Sequence, residues 1–508
     1  MTPLTEKYLG SMSLKALLFS GVAMTVLCGH AGAQNTRTDE EYVRNLEDRV
    51  QALEAKLDMV LDRLGGDSGV VAAAPAGGKI AGVGGAGNTA PAAAFAGPST
   101  PVVAARQTTQ SPSVGPVLVE LDTPGGVSAQ SQPVKPTPKK DGLGVKFGDT
   151  DFQFTGYVKL DAIVSDFDGG ELASSSIGRD FYIPALVPVG GSGDGPDFDF
   201  NPRETRYIFK VNSNRGGHEI GGLVELDFQV TVGGDERVSN SFIPRMRQAY
   251  ITVDNWLFGQ AWSTFQDVSA LPDNLDFIGP TEGTVFNRQS MIRYSKGPWQ
   301  IALEQPETEV TDPTGARKLP GDDIAPDVVL RYNLKRDWGH LTAAGIIRTL
   351  HVEDEIIAGA PEDTTVGYGL SVSGKLKVGE RDDFRFMATA GDGIGRYIGV
   401  NVVNDVAIDM MEGELETIQT TSGFASYRHF WSPVLRSNLT GGYFKADNPI
   451  DLVGDGVTDR VYSIHANLIY TPFEKFDVGV EYIFANRRLE SGLDGSLNRV
   501  QFSTKYSF

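Results

Sequence analysis

The sequence predicts an all-β protein: a transmembrane antiparallel β-barrel of about 16 strands with a short N-terminal α-helical coiled coil. Three observations predict it. The chain ends in Arg499-Val500-Gln501-Phe502-Ser503-Thr504-Lys505-Tyr506-Ser507-Phe508, which alternates without a slip. Val500, Phe502, Thr504, Tyr506 and Phe508 share one face, and Arg499, Gln501, Ser503, Lys505 and Ser507 share the other, as a strand between lipid and water requires. The same alternation recurs at Asp151–Val164, Ile220–Val230, Val461–Tyr470 and Phe476–Phe484. Tight polar turns such as 212–217 and Val253-Asp254-Asn255 alternate with long loops such as 166–202 and 266–287, as in barrels with short turns at one end and long loops at the other.

Composition agrees. The chain has 508 residues, 60 of them Gly, and 40% are hydrophobic. Beyond the N-terminus no run of 18 or more apolar residues predicts a transmembrane helix. A mean hydropathy of -0.18 resembles that of a soluble protein, but barrel strands give half their residues to a polar lumen. A net charge of -20 argues against nucleic-acid binding.

From the N-terminus, residues 1–33 read as a secretory signal peptide. Lys7 and Lys15 precede an apolar run from Ala16 to Leu27, and Ala31-Gly32-Ala33 supplies an A-x-A cleavage pattern before Gln34. Met12 is an alternative start. The single cysteine, Cys28, lies inside this segment. Lipid attachment there is the alternative reading, opposed by the bulky Leu27 and by Thr25. A chain cleaved after Ala33 has no disulfide, thiolate metal site or cysteine nucleophile.

Residues 34–64 form the coiled-coil segment. Val43, Val50, Leu57 and Leu64 occupy a positions, and Leu46, Leu53 and Val60 occupy d positions. Arg49 at g can reach Glu54 at e on a neighbouring chain, in a pattern that resembles those of three-stranded coils. The alternative is one amphipathic helix on the protein's own surface. Residues 65–140, rich in Ala, Gly, Val, Pro, Ser and Thr, read as a low-complexity linker.

Residues 141–508 hold the strands, with roughly 23 residues per strand and connection, enough for tilted strands of about 9–11 residues. In the first, Phe152, Phe154, Gly156, Val158, Leu160 and Ala162 oppose Gln153, Thr155, Lys159 and Asp161. On another, Tyr462 and Tyr470 bracket Ile464, Ala466 and Leu468, as two aromatic girdles would. A count near sixteen leaves an aqueous channel.

Arginines mark the predicted lumen: Arg206, Arg245, Arg247, Arg293, Arg331, Arg348 and Arg436. A lipid-facing charge at mid-membrane would cost roughly 2–4 kcal/mol. Arg245 and Arg247 share a face shortly before the 266–287 loop, which carries Asp267, Asp273, Asp276 and Glu282; Arg288 and Arg293 follow it. If this loop, between the fifth and sixth strands, folds inward, its acids face basic wall residues and the arginines favour anions. The candidate constriction is therefore Arg206, Arg245, Arg247, Arg288, Arg293 and Arg331 with Asp267, Asp273 and Asp276. The alternative is that the arginines pair with inward Asp161, Glu225, Asp227 and Glu304 and brace the wall.

Four segments carry a family resemblance: Phe154-Thr155-Gly156-Tyr157-Val158-Lys159-Leu160-Asp161, Gly259-Gln260-Ala261-Trp262-Ser263-Thr264-Phe265, Ala325-Pro326-Asp327-Val328-Val329-Leu330-Arg331-Tyr332 and Gly391-Asp392-Gly393-Ile394-Gly395-Arg396-Tyr397. The chain resembles the DcaP-like outer-membrane porins. That resemblance implies a homotrimer of sixteen-stranded barrels in the outer membrane of a Gram-negative bacterium, surrounded by lipid and lipopolysaccharide. It also implies a periplasmic coiled coil and passive uptake of small, negatively charged solutes such as dicarboxylates through an arginine-lined constriction. Arg245, Arg247 and Arg293 stand in the matching stretch.

The remaining signals are weak. Histidines are scattered, with neither H-E-x-x-H nor G-x-S-x-G. Ser463, His465 and Asn467 share a face, as ordinary lumen neighbours do. Gly391-Asp392-Gly393-Ile394-Gly395 lacks the helix that a phosphate loop needs. Gly321-Asp322-Asp323 and the acids from Asp447 to Asp459 read as solvated loop tips, with calcium as the alternative. No enzyme activity, metal or cofactor is expected. A general or cation-preferring porin is the alternative within the class; a structural or adhesive barrel, or a barrel enzyme, is the alternative outside it.

Overall fold

The computed structural model describes residues 143–230, 239–353 and 362–508. The predicted signal peptide, coiled coil and linker lie outside the described residues, as do residues 141 and 142.

Sixteen strands close the barrel. In chain order β1 is Thr150–Phe167, β2 Arg206–Arg215, β3 His218–Asp227, β4 Arg245–Val253, β5 Trp256–Trp262, β6 Arg288–Lys296, β7 Trp299–Glu304 and β8 Asp327–Arg336. They continue with β9 Gly339–Val352, β10 Asp363–Val378, β11 Asp382–Asp392, β12 Gln419–Ser432, β13 Leu435–Asp447, β14 Thr458–Phe473, β15 Phe476–Leu489 and β16 Asp494–Ser507. Each pairs antiparallel with its neighbour, and β1 pairs with β16 from Tyr157↔Ser507 to Phe167↔Leu497. Among the described residues the ring of sixteen has no open edge, the condition for β-structure in lipid.

The seam depends on the chain terminus. The Phe508 N–H donates to the Gly156 carbonyl at 3.0 Å, and the Thr155 hydroxyl donates to the Phe508 carbonyl at 2.7 Å. The Phe508 ring lies 5.4 Å from Phe154. A Cβ on Gly156 would come within 2.1 Å of the Arg206 carbonyl, so this crossing of three chain segments requires glycine. Residues 143–147 extend β1 beyond the seam as a hairpin, and 197–201 pair with its upper half; both lie outside the ring of sixteen.

Side chains follow the predicted alternation. Val158, Leu160, Val500, Phe502 and Tyr506 are exposed, while Lys159, Asp161, Arg499, Gln501 and Ser503 are buried. Tyr462, Ile464, Leu468 and Tyr470 also face outward. Burying these apolar faces in lipid is the solvent match that makes the outside apolar and the inside polar. Trp256, Trp299, Trp431, Tyr470 and Tyr506 are exposed near the end that carries the two- and three-residue turns; Tyr368, Tyr443, Tyr462 and Tyr482 are exposed toward the other.

The long-loop end is not open mesh. The β1–β2, β5–β6 and β11–β12 loops turn inward and pack on one another: Phe181 and Ile183, then Phe277, Ile278 and Phe286, then Tyr397, Ile398, Val400 and Val402 are all buried. Short strands at 310–311, 317–318, 406–409 and 414–417 form a small separate sheet that joins the β7–β8 loop to the β11–β12 loop.

Candidate functional site

The β5–β6 loop crosses the lumen. Its fold is local at first: the Asp267 carboxylate accepts from the Ser269 N–H at 3.1 Å, and the Asp276 carboxylate accepts from the Ile278 and Gly279 N–H groups at 3.2 and 3.1 Å. These capping bonds satisfy turn donors that no strand could. Other polar groups of the loop reach the barrel wall.

Asp267 accepts from Arg331 on β8 at 3.1 Å, from Ser373 on β10 at 3.1 Å, and meets His340 on β9 at 2.9 Å. The Leu271 carbonyl accepts from Arg385 on β11. Asp273 accepts from Arg436 on β13 at 2.7 Å and Arg428 on β12 at 3.2 Å. The Leu275 N–H donates to Glu481 on β15 at 2.6 Å, and its carbonyl accepts from Lys159 on β1 at 2.7 Å and Gln501 on β16 at 2.9 Å. Arg499 on β16 stands 3.9 Å from Asp276. One loop thus touches most of the barrel.

Burial pushes the Asp273 carboxyl up, but Arg436, Arg428 and Arg385 more than offset it and hold it well below the ordinary range. Asp267 is depressed in the same way: burial opposes, Arg331 and His340 prevail. At Asp276 and Glu282 burial prevails over Arg499 and Ser463 respectively, and both carboxyls are raised. The loop is therefore charged where it meets β8–β13 and less readily ionised near β14 and β16.

The return limb lies flat on the wall. A Cβ on Gly283 would come within 2.3 Å of the Gly423 carbonyl of β12. A Cβ on Gly442 of β13 would come within 2.3 Å of the Glu282 carboxylate. Glycines on both sides admit this approach. Ser463 on β14 donates to Glu282 at 2.5 Å, and His465 lies between Ser463 at 3.0 Å and Glu481 at 3.3 Å. The order Ser–His–Glu is that of a hydrolase relay, yet the serine hydroxyl already donates to a loop carboxylate and all four groups are buried. The geometry ties the loop down.

The arginines before and after the loop have other partners. Arg245 binds Asp227 through two bonds of 2.9 Å. Arg247 donates to Glu225 at 2.9 Å and also meets Asp227. Arg206 stands 3.1 Å from Glu225. Arg293 donates to the Trp262 carbonyl at 3.0 Å, and Arg288 lies 5.0 Å over the Trp262 ring. Arg247 is also 5.7 Å from the Phe277 ring of the loop. Of the predicted constriction residues, the structure brings Arg331 to Asp267, while Arg206, Arg245 and Arg247 gather around wall acids. Arg428 and Arg385, which lie outside the predicted constriction set, are also loop partners on the inward face of alternating strands. The Gly441-Gly442 pair inside a strand was the available signal for a close backbone approach.

Buried charge is distributed unevenly around the wall. Among the described residues, β2–β6 bury five arginines (206, 245, 247, 288 and 293) and two acids (Glu225 and Asp227). The other barrel strands bury Lys159, Arg331, Arg348, Arg385 and Arg499 against Asp161, Glu304, Asp327, Asp383 and Glu481, an even match.

A closed sixteen-stranded barrel with an inward loop after its fifth strand defines an outer-membrane barrel of the porin type. Residues 145–508 match the model of the DcaP outer membrane protein family, and the chain belongs to that family. Among solved structures it is similar to the outer membrane channel DcaP of Acinetobacter baumannii: 23% identity, TM-score 0.59, covering 72% of this chain and 100% of that one. It is more distantly similar to an anion-selective porin from Comamonas acidovorans (11% identity, TM-score 0.45, 71% and 100% covered) and to OmpT of Vibrio cholerae (11%, 0.44, 72% and 100%). No curated protein sequence matches the chain.

Proposed function

We propose that the protein is a passive outer-membrane channel that favours small anionic solutes of the dicarboxylate class. The observation that carries this reading is the clustering of five buried arginines (Arg206, Arg245, Arg247, Arg288 and Arg293) on β2–β6. The loop acids Asp267, Asp273 and Asp276 meet Arg331, Arg428, Arg436 and Arg499 on other strands. For each net positive charge this cluster presents, a dianion about 10 Å away gains about 0.8 kcal/mol in water, reduced to about 0.2 kcal/mol by physiological salt. That is roughly a 1.5-fold enrichment over an uncharged solute for each such charge. The family's trimeric assembly completes the proposal, with the coil of residues 34–64 holding three chains together in the periplasm.

Liposome swelling tests the solute class. Proteoliposomes should swell faster in a four-carbon dicarboxylate than in a diamine of equal length. Equal rates, or a faster diamine, would overturn the anion preference while leaving the channel. Deleting residues 34–64 should weaken the heat-resistant trimer; an unchanged trimer would remove that role from the coil.

A further inference from the structure

At the long-loop end, away from the lumen network, three potential metal ligands meet. A carboxylate oxygen of Asp322 in the β7–β8 loop, a ring nitrogen of His351 near the top of β9, and a carboxylate oxygen of Glu353 just beyond it all lie within 4.8 Å of one another. Two properties set this group apart from a solvated acidic loop tip. His351 is only 4% exposed, and its Nδ1 is 2.8 Å from the hydroxyl of Thr364, its cross-strand partner on β10. If Nδ1–H donates to that hydroxyl, Nε2 keeps its lone pair and the ring is held in place, as second-shell partners of ligating histidines do. The His351 backbone is fixed as well, since its N–H donates to Thr308 at 3.2 Å. Asp322 supplies the other property. Its Oδ2 accepts from the Glu353 N–H at 2.5 Å, while its Oδ1 is buried without a hydrogen-bond partner. A buried carboxylate oxygen left unsatisfied is costly, and among the described residues no lysine or arginine pairs with Asp322 or Glu353.

We propose that Asp322, His351 and Glu353 bind one divalent transition-metal ion of the zinc class, clipping the β7–β8 loop to the top of β9. One imidazole and two carboxylates suit zinc better than calcium or magnesium, which favour all-oxygen shells. Ligand atoms in a zinc site sit about 2.0–2.2 Å from the metal, so the group must contract by roughly an ångström. The exposed Glu353 side chain can supply that movement. Water would complete the coordination.

The test uses the full-length, untagged barrel, stripped with chelator and equilibrated with zinc chloride against excess calcium. Metal content and affinity are measured for the wild type, Glu353→Gln and His351→Gln. We expect one zinc per chain in the wild type and at least tenfold weaker binding in each variant, and cobalt in place of zinc should give a visible band that His351→Gln removes. Equal zinc binding by all three proteins would overturn the assignment, as would no binding by the wild type. Displacement of zinc by calcium, with His351→Gln unaffected, would also overturn it. Glu353 is exposed, so Glu353→Gln keeps the test decisive even if His351→Gln fails to fold, which heat-modified migration of the barrel would reveal.

Discussion

The clasp between the β7–β8 and β11–β12 loops should loosen as pH rises through neutrality. Glu309 sits in it, buried, accepting from Asn401 at 2.7 Å and standing 3.5 Å from Arg317. Its N–H donates to Asp405, whose carboxylate also accepts from the Arg396 N–H and pairs with Arg348 at 2.7 Å. Burial raises the Glu309 carboxyl from 4.5 to about 7, against the pull of Arg317. The folded clasp therefore binds a proton that the open loop releases between those two values. Its stabilising effect is complete below pH 4.5 and is lost as pH rises to about 7, by about 3 kcal/mol at most. Hydrogen exchange of the amides at 310–311 and 406–409, corrected for intrinsic rates, reads the opening directly. Opening should increase up to a hundredfold between pH 5 and 7.5 and then level off. In Glu309→Gln it should be nearly independent of pH. Opening that is flat in the wild type, or a pH dependence retained in Glu309→Gln, would refute the argument.

Two further substitutions probe the lumen loop. Asp273→Asn leaves Arg428 and Arg436 with Asp383 and Asp477 but removes the charge that anchors the loop to β12 and β13. These groups are part-buried and both arginines keep a second acid, so the change costs about 1 kcal/mol, and single-channel records should show larger, noisier currents; an unchanged trace would free the loop from this anchor. Gly283→Ala forces a Cβ against the Gly423 carbonyl, so the return limb should lift and the loop become sensitive to added protease, whereas full resistance would show that the limb can shift without cost.

The barrel was legible because its faces repeat every two residues. Val500 and Phe502 faced lipid, and Arg499 and Gln501 faced inward, as the alternation required. The strand count, the inward loop after the fifth strand and the family resemblance were all borne out by the closed barrel and the family match. Pairing was much less legible. Which arginine meets which acid depends on strand register and on the path of a loop across open space, and neither has a sequence period. Arg247 stands close to the loop in sequence, yet it donates to Glu225; Arg428, more than 150 residues from Asp273, donates to that loop carboxylate. The apolar packing of three loops over the mouth was hidden for the same reason: Phe277 and Tyr397 lie in segments without alternation. The 197–201 strand lay inside a predicted loop because it adds only five residues to one flank of β1.

The most direct test of the account is the zero-current potential of the reconstituted channel under a potassium chloride gradient, for wild type and for the Arg245→Ala/Arg247→Ala double variant. The double change removes two of the five buried arginines on β2–β6. The account predicts an anion-favouring potential in the wild type that falls by more than half in the variant. A cation-favouring wild type, or a potential that the double substitution leaves unchanged, would contradict it.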